Sequence, residues 1–282
     1  MTTAASVRPF TSALSVEEFA ALRSVGYAPV GQVMGTAVYR MGRASGGCGY
    51  RSRTDYYSYN LGYYSPTGLA MTVEMPHRRG LLRQVRTRAI DRMREECAAL
   101  GADGVVGVRL EVKRFVGRGL ECIALGTAVR AVDGRAGPAS PFTSDLSGQD
   151  VATLIRAGWR PVAFVIGIGA VIRHDDGTKR FQQQSFRNRE LTAPTALVGA
   201  ARASARRWLQ DDARRRGGQM VVVREMTLKL RKQRCWSTME GERDEIAEAV
   251  ILGTAIVRDD AGPAQPQRPL LILPLTEKGV RT

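Results

Sequence analysis

Phe10-Thr11-Ser12, Leu14-Ser15, Gly26, Pro29-Val30 and Gly35 return in the same order as Phe142-Thr143-Ser144, Leu146-Ser147, Gly158, Pro161-Val162 and Gly167. The offset is a constant 132. The echo resumes near the end of each copy, where Leu125-Gly126-Thr127-Ala128 matches Leu252-Gly253-Thr254-Ala255. A duplication of this kind fixes the architecture before any motif is weighed. It divides the 282-residue chain into a first domain over 10–132, a linker over 133–141, a second domain over 142–258, and a Pro-rich linker with an apolar tail over 259–282. Each copy is long enough to bury its own core.

Working outward, each copy reads as a short helix, a strand, a long helix and a two-stranded hairpin. Ser15-Val16-Glu17-Glu18 is a capping box, and Ser147 to Asp150 repeats it with an aspartate. Pro29 and Pro161 stand where a strand begins, and Val30–Tyr39 and Val162–Ile172 are rich in β-branched and aromatic residues. Leu82, Val85, Ala89, Met93, Cys97 and Leu100 form one helical stripe, with Arg79, Arg83, Arg86, Glu95 and Glu96 outside it. Val106, Val108, Leu110 and Val112 alternate along the next strand. The return strand has an unusually small-sided face of Cys122, Ala124, Gly126 and Ala128, made for a closely approaching helix or a neighbouring subunit. The expectation is an α+β fold: two tandem β-α-β-β modules, each one long helix on a small antiparallel sheet, each preceded by a short helix.

The string Ala98-Ala99-Leu100-Gly101-Ala102-Asp103-Gly104-Val105-Val106-Gly107-Val108, closed by Leu125-Gly126-Thr127-Ala128-Val129, resembles the YbjQ-like family, often labelled heavy-metal-binding. The doubled Phe-Thr-Ser…Leu-Ser layout resembles the tandem, actinobacterial form of that family. The resemblance covers both copies. It implies a helix-on-sheet α+β sandwich and a homo-oligomeric ring of about five domains, with no established reaction. On it, Gly35, Gly101, Ala102, Asp103, Gly107, Gly126, Thr127, Gly167, Gly253 and Thr254 are the fold signature and candidate oligomer contacts. The second copy departs from the pattern, because Gly217-Gly218-Gln219-Met220 replaces Gly101-Ala102-Asp103-Gly104. Any task of the Asp103 turn beyond capping is therefore expected to be lost there.

Net charge is +15, with 42 basic and 27 acidic residues, and each copy carries +7. So even a spread reads first as an arginine-studded surface and only second as a polyanion binder. The nucleic-acid candidates are Arg51, Arg53, Tyr56 and Tyr57 in a tyrosine-rich stretch, where aromatics and arginines could stack bases, and Arg202 and Arg206 on a helix. Metal binding needs converging thiolate, imidazole or carboxylate donors. Cys48, His77, His174 and Cys235 are the weak candidates, and none has a partner at ligand spacing. No serine or cysteine sits in a nucleophile elbow, and no phosphate-binding loop is present. The expectations are a non-enzymatic protein without cofactor, whose partner is itself. Four scattered cysteines and the lack of a long apolar run point to the cytoplasm, with no membrane span. The segment Leu270–Leu275 is expected to add as a strand to a neighbour's sheet edge.

Overall fold

A computed structural model describes residues 11–40, 72–132, 140–174, 188, 190–234 and 243–259. In the first module, α1 (Val16–Ser24) leads into β1 (Tyr27–Arg40), a short β2 (Thr72–Glu74), α2 (Pro76–Ala99) and the hairpin β3 (Gly104–Phe115) and β4 (Gly119–Ala131). The second repeats this as β5 (Phe142–Thr143), α3 (Gly148–Arg156), β6 (Trp159–His174), α4 (Thr192–Arg215), β7 (Met220–Arg234) and β8 (Arg243–Arg258). Both long helices have 24 residues. Two similar β-α-β-β modules with leading short helices are therefore present, as the sequence implies. Their sheets run β1-β4-β3-β5 and β2-β6-β8-β7. Each module thus lends a strand to the other: β5 pairs parallel with β3, and β2 antiparallel with β6.

The caps follow the sequence. Ser15 Oγ accepts the Glu18 amide at 3.2 Å, while the Glu18 carboxylate accepts the Ser15 amide at 2.8 Å. The other Glu18 oxygen accepts the Gly148 amide at 3.2 Å, so one carboxylate serves the first turns of both short helices. Ser147 Oγ accepts the Asp150 amide at 3.1 Å.

Three local expectations are corrected. Pro29 and Pro161 do not start their strands. Each lies inside one, at a bulge between Pro29 and Gly31 or between Pro161 and Ala163, where a missing amide breaks no ladder bond. The alternation in β3 slips at Gly107, whose φ of +64° makes a bulge between Val106 and Arg109. Val105 and Val108 consequently pack in the cluster beneath α2, and Val106 turns to a second cluster with Phe142 and Leu146. Arg86 is not on a solvated face. It is buried, donates to the Leu82 carbonyl at 2.7 Å, and has its pKa lowered by loss of solvent.

The small-sided face of β4 receives the module's own helix, because Cys122, Ala124 and Ala128 are fully buried with Val85, Ala89 and Met93. Strand and helix backbones nearly touch where they cross. A Cβ on Gly35 would stand 2.0 Å from the Ala89 carbonyl oxygen, and one on Gly167 2.1 Å from that of Ala205. The second helix covers Val165, Val171, Ala249 and Ile251 in the same way. The first cluster does not end at its module: it takes in Phe164, Ile166, Ile168 and Leu252 from the second. Across this seam Arg78 is ion-paired with Glu248, whose side chain is 5% exposed and which also meets Arg231 at 3.7 Å.

Two outcomes check this packing by denaturant titration. Gly35→Ala forces backbone atoms apart and is expected to cost about 2 kcal/mol or more, with Gly167→Ala matching it. Glu248→Ala leaves Arg78 without its buried partner and is expected to cost on the order of 3 kcal/mol.

Candidate assembly interface

The repeated Gly-Thr-Ala string positions an arm that precedes each short helix. Thr254 Oγ1 lies 2.9 Å from Ser144 Oγ and accepts the Asp145 amide at 3.1 Å. In the first module Thr127 Oγ1 lies 3.5 Å from Ser12 Oγ and accepts the Ala13 amide at 3.4 Å. Both threonines are buried, so their hydroxyls are committed to these partners. Gly126 and Gly253 make room beside them, since a Cβ would meet Val105 at 2.4 Å or the Val222 carbonyl oxygen at 2.4 Å.

The second module's arm then uses its free side on the first module. The Phe142 amide donates to the Asp103 carbonyl at 3.0 Å and the Ser144 amide to the Val105 carbonyl at 2.8 Å. The Gly107 amide donates to the Leu146 carbonyl and the Val108 amide to that of Ser144, both at 2.9 Å. The Phe142 ring occupies the space a side chain at Gly104 would fill, and meets Tyr27 edge-on at 5.9 Å. Gly101 ends α2 and Ala102 is buried beneath it. The Asp103 carboxylate accepts the Ala131 amide at 2.7 Å. The second copy keeps that bond despite its altered sequence: Gln219 Oε1 accepts the Arg258 amide at 3.1 Å.

Polar groups complete the seam. Glu74 on β2 accepts from Ser204 Oγ at 2.8 Å and from Arg207 at 2.5 Å, both on α4. Arg79 stacks over the Trp208 ring at 3.9 Å, and Arg83 reaches Asp212 at 2.9 Å. In the sequence Arg79, Arg83, Ser204, Arg207 and Asp212 read as ordinary positions on a long helix, and nothing there marks Glu74 as their partner.

Among the described residues, the equivalent surfaces on β7 and on β1 are open. Strand β7 is the terminal strand of its sheet, and a groove of about 470 Å³ lies between it and α4. Arg206, Leu209, Ala213, Met220, Val223 and Met226 line it. At the opposite end Met34 and Val38 stand on β1 with about half of their surfaces in solvent.

Other candidate residues do not converge. His77 is exposed on the first turn of α2, and His174 ends β6 in register with Asp244. Cys48, Arg51, Arg53, Tyr56, Tyr57 and Cys235 lie outside the described residues, as does the apolar tail. Among the described residues no group of three or more His, Cys, Asp or Glu side chains could hold a metal ion. Burial pushes the Cys97 and Cys122 thiols up to about 11, away from thiolate chemistry near neutral pH. Arg202 and Arg206 are exposed, but the arginines that follow are matched by carboxylates: Arg214 by Asp211, Arg215 and Arg216 by Asp212. No described helix is long and apolar enough to cross a membrane.

Residues 73–132, which run from β2 to the end of the first hairpin, match the YbjQ family model described as "Putative heavy-metal-binding". The chain is 36% identical over 221 residues to the encapsulin nanocompartment protein Rv1762c of Mycobacterium tuberculosis, covering 76% of each. It is 50% identical over 50 residues to a UPF0145 protein of Halorubrum lacusprofundi, covering 18% of this chain and 48% of that one. A UPF0145 protein of Methanoregula boonei is 43% identical over 61 residues, 22% of this chain and 50% of its own. The match thus spans about half the length of these UPF0145 relatives, and three quarters of the mycobacterial protein. By that shared length and the module that carries it, the chain belongs to the YbjQ-like, UPF0145-related family.

Proposed function

We propose that this protein is a non-enzymatic building block that assembles with copies of itself into a ring-like homo-oligomer with a structural role. One observation carries the reading. The seam between the modules is head-to-tail, joining an arm and a sheet face on one module to a helix and a strand edge on the other. Such a contact uses two different surfaces and leaves one of each unused, and repeating it generates a ring or a filament. Match coverage of 76% on both chains supports the tandem form of the family. It also supports extending to this chain the setting printed in the relative's name, a protein nanocompartment. We place the assembly in the cytoplasm, in keeping with the four scattered cysteines.

Multi-angle light scattering tests the reading directly. At micromolar concentration the expected mass is a multiple of the 30.8 kDa chain, and a single-chain mass rejects assembly. The family's metal label has its own check in elemental analysis of untagged protein purified without chelator. The donors described above predict far less than one metal ion per chain, and a stoichiometric ion would restore the metal-binding reading.

A further inference from the structure

We propose that the groove between α4 and β7 seats the first module of another copy of this chain. In that contact the incoming arm, Thr11–Leu14, and the outer face of β1 repeat the roles that Phe142–Leu146 and β6 play within one chain. The inference rests on the assembly reading above and gives it a surface.

The internal seam supplies the register. Equivalent positions differ by 132 between β1 and β6, by 116 between α2 and α4 and between β3 and β7, and by 127 between the two Gly-Thr-Ala strings. Val223 and Arg224 therefore occupy the places of Gly107 and Val108, whose amides hold the internal arm. The incoming partners are the carbonyls of Leu14 and Ser12. Ser12 and Ala13 are already latched to Thr127 as Ser144 and Asp145 are to Thr254. The arm thus presents its free edge without rearrangement.

The apolar surfaces correspond as well. On the closed seam Ile90 and Leu110 share a cluster with Phe164, Ile166 and Ile168. Their counterparts on the open surfaces are Arg206 and Met226 on one side, and Gln32, Met34 and Thr36 on the other. Ile166 is 5% exposed, whereas Met34 is 54% and Met226 45% exposed. Methionine adapts to imperfect complements, which suits a seam that forms between separate molecules. Charge is redistributed at this point: Glu190 takes the place of Glu74, with Arg88 at the place of Ser204 and Asp91 at that of Arg207, so an ion pair replaces the internal hydrogen bond and a carboxylate replaces the internal guanidinium.

Because the contact uses unlike surfaces, complementation tests it. Met34→Glu disables the β1 face of every copy, and Met226→Glu disables every groove. Each variant alone is expected to run as a single chain by light scattering. An equimolar mixture is expected to double the mass and stop there, since one intact seam forms between one chain of each kind. The mixture also shows that both variants remain folded. The proposal is overturned if either variant assembles as the native chain does. Met34→Glu assembling normally while Met226→Glu does not would mean that another occupant, such as the chain's own tail, fills the groove. A native chain that is itself monomeric defeats the assembly reading first, and this surface with it.

Discussion

A small sheet with one helix has two faces, and the helix covers only one of them. In the second module Val165, Gly167, Gly169 and Val171 look toward α4, so Phe164, Ile166 and Ile168 must look the other way. Burying side chains of that size is worth about 1.5–3 kcal/mol each, and the first module supplies the cover with α2 and the β3 edge. Everything distinctive in the chain serves this meeting of faces. The threonine latches hold the arms at strand distance, the bulge at Gly107 lets amides on β3 reach the arm, and Arg78 joins Arg231 in neutralising the buried Glu248. Among the described residues the first module's own outer face has no such cover, and it is correspondingly less apolar: Gln32, Met34 and Thr36 stand where Phe164, Ile166 and Ile168 stand in its sibling.

Divergence between the copies falls on the seam rather than on the fold. The helix-crossing pair Gly35 and Gly167, the latching serines and threonines and the stops of the long helices are kept, since each is fixed by packing within a module. Gly104, which gives space to Phe142, becomes Met220, and the position of Trp208, which stacks on Arg79, is held by Arg92 in the first copy. Even Asp103 changed only in kind, because Gln219 reaches the same strand amide from the same turn. A covalently tethered seam tolerates rigid, well-filled contacts. A seam between molecules is served by adaptable side chains that remain soluble before partners meet, which describes Met220 and Met226.

The duplicated anchors made the fold readable from sequence. Spacing of Gly35 and Gly167 against the alanine stripes, and the N-cap serines Ser15 and Ser147, are local rules that survive folding. What escaped the sequence depended on the other module. Arg86 sits among polar neighbours in the pattern of α2, yet it is buried, within electrostatic reach of Cys122 on β4 and Glu248 on β8. The strand phase in β3 slips because of a single left-handed glycine, which alternation alone does not reveal. Glu74, Arg79 and Trp208 form a cluster only once β2 crosses to β6, a non-local pairing without a sequence signature. The arginine excess shows the same dependence: several that suggest a basic face in sequence are consumed by carboxylates in space.

The head-to-tail geometry also bears on how many modules a closed assembly holds. The family resemblance implies rings of about five domains, but each chain here brings two modules already joined through the repeating contact. A single ring built by continuing that contact contains an even number of modules, with tethered and untethered seams alternating around it. The tethered seams form without loss of translational freedom, while each untethered seam bears the full association cost of several kcal/mol. In the proposed assembly, size and lifetime would therefore be set at the α4–β7 groove, the weaker of the two contacts. Selection on assembly would act there first, and there Met220 and Met226 stand where the first copy has Gly104 and Leu110.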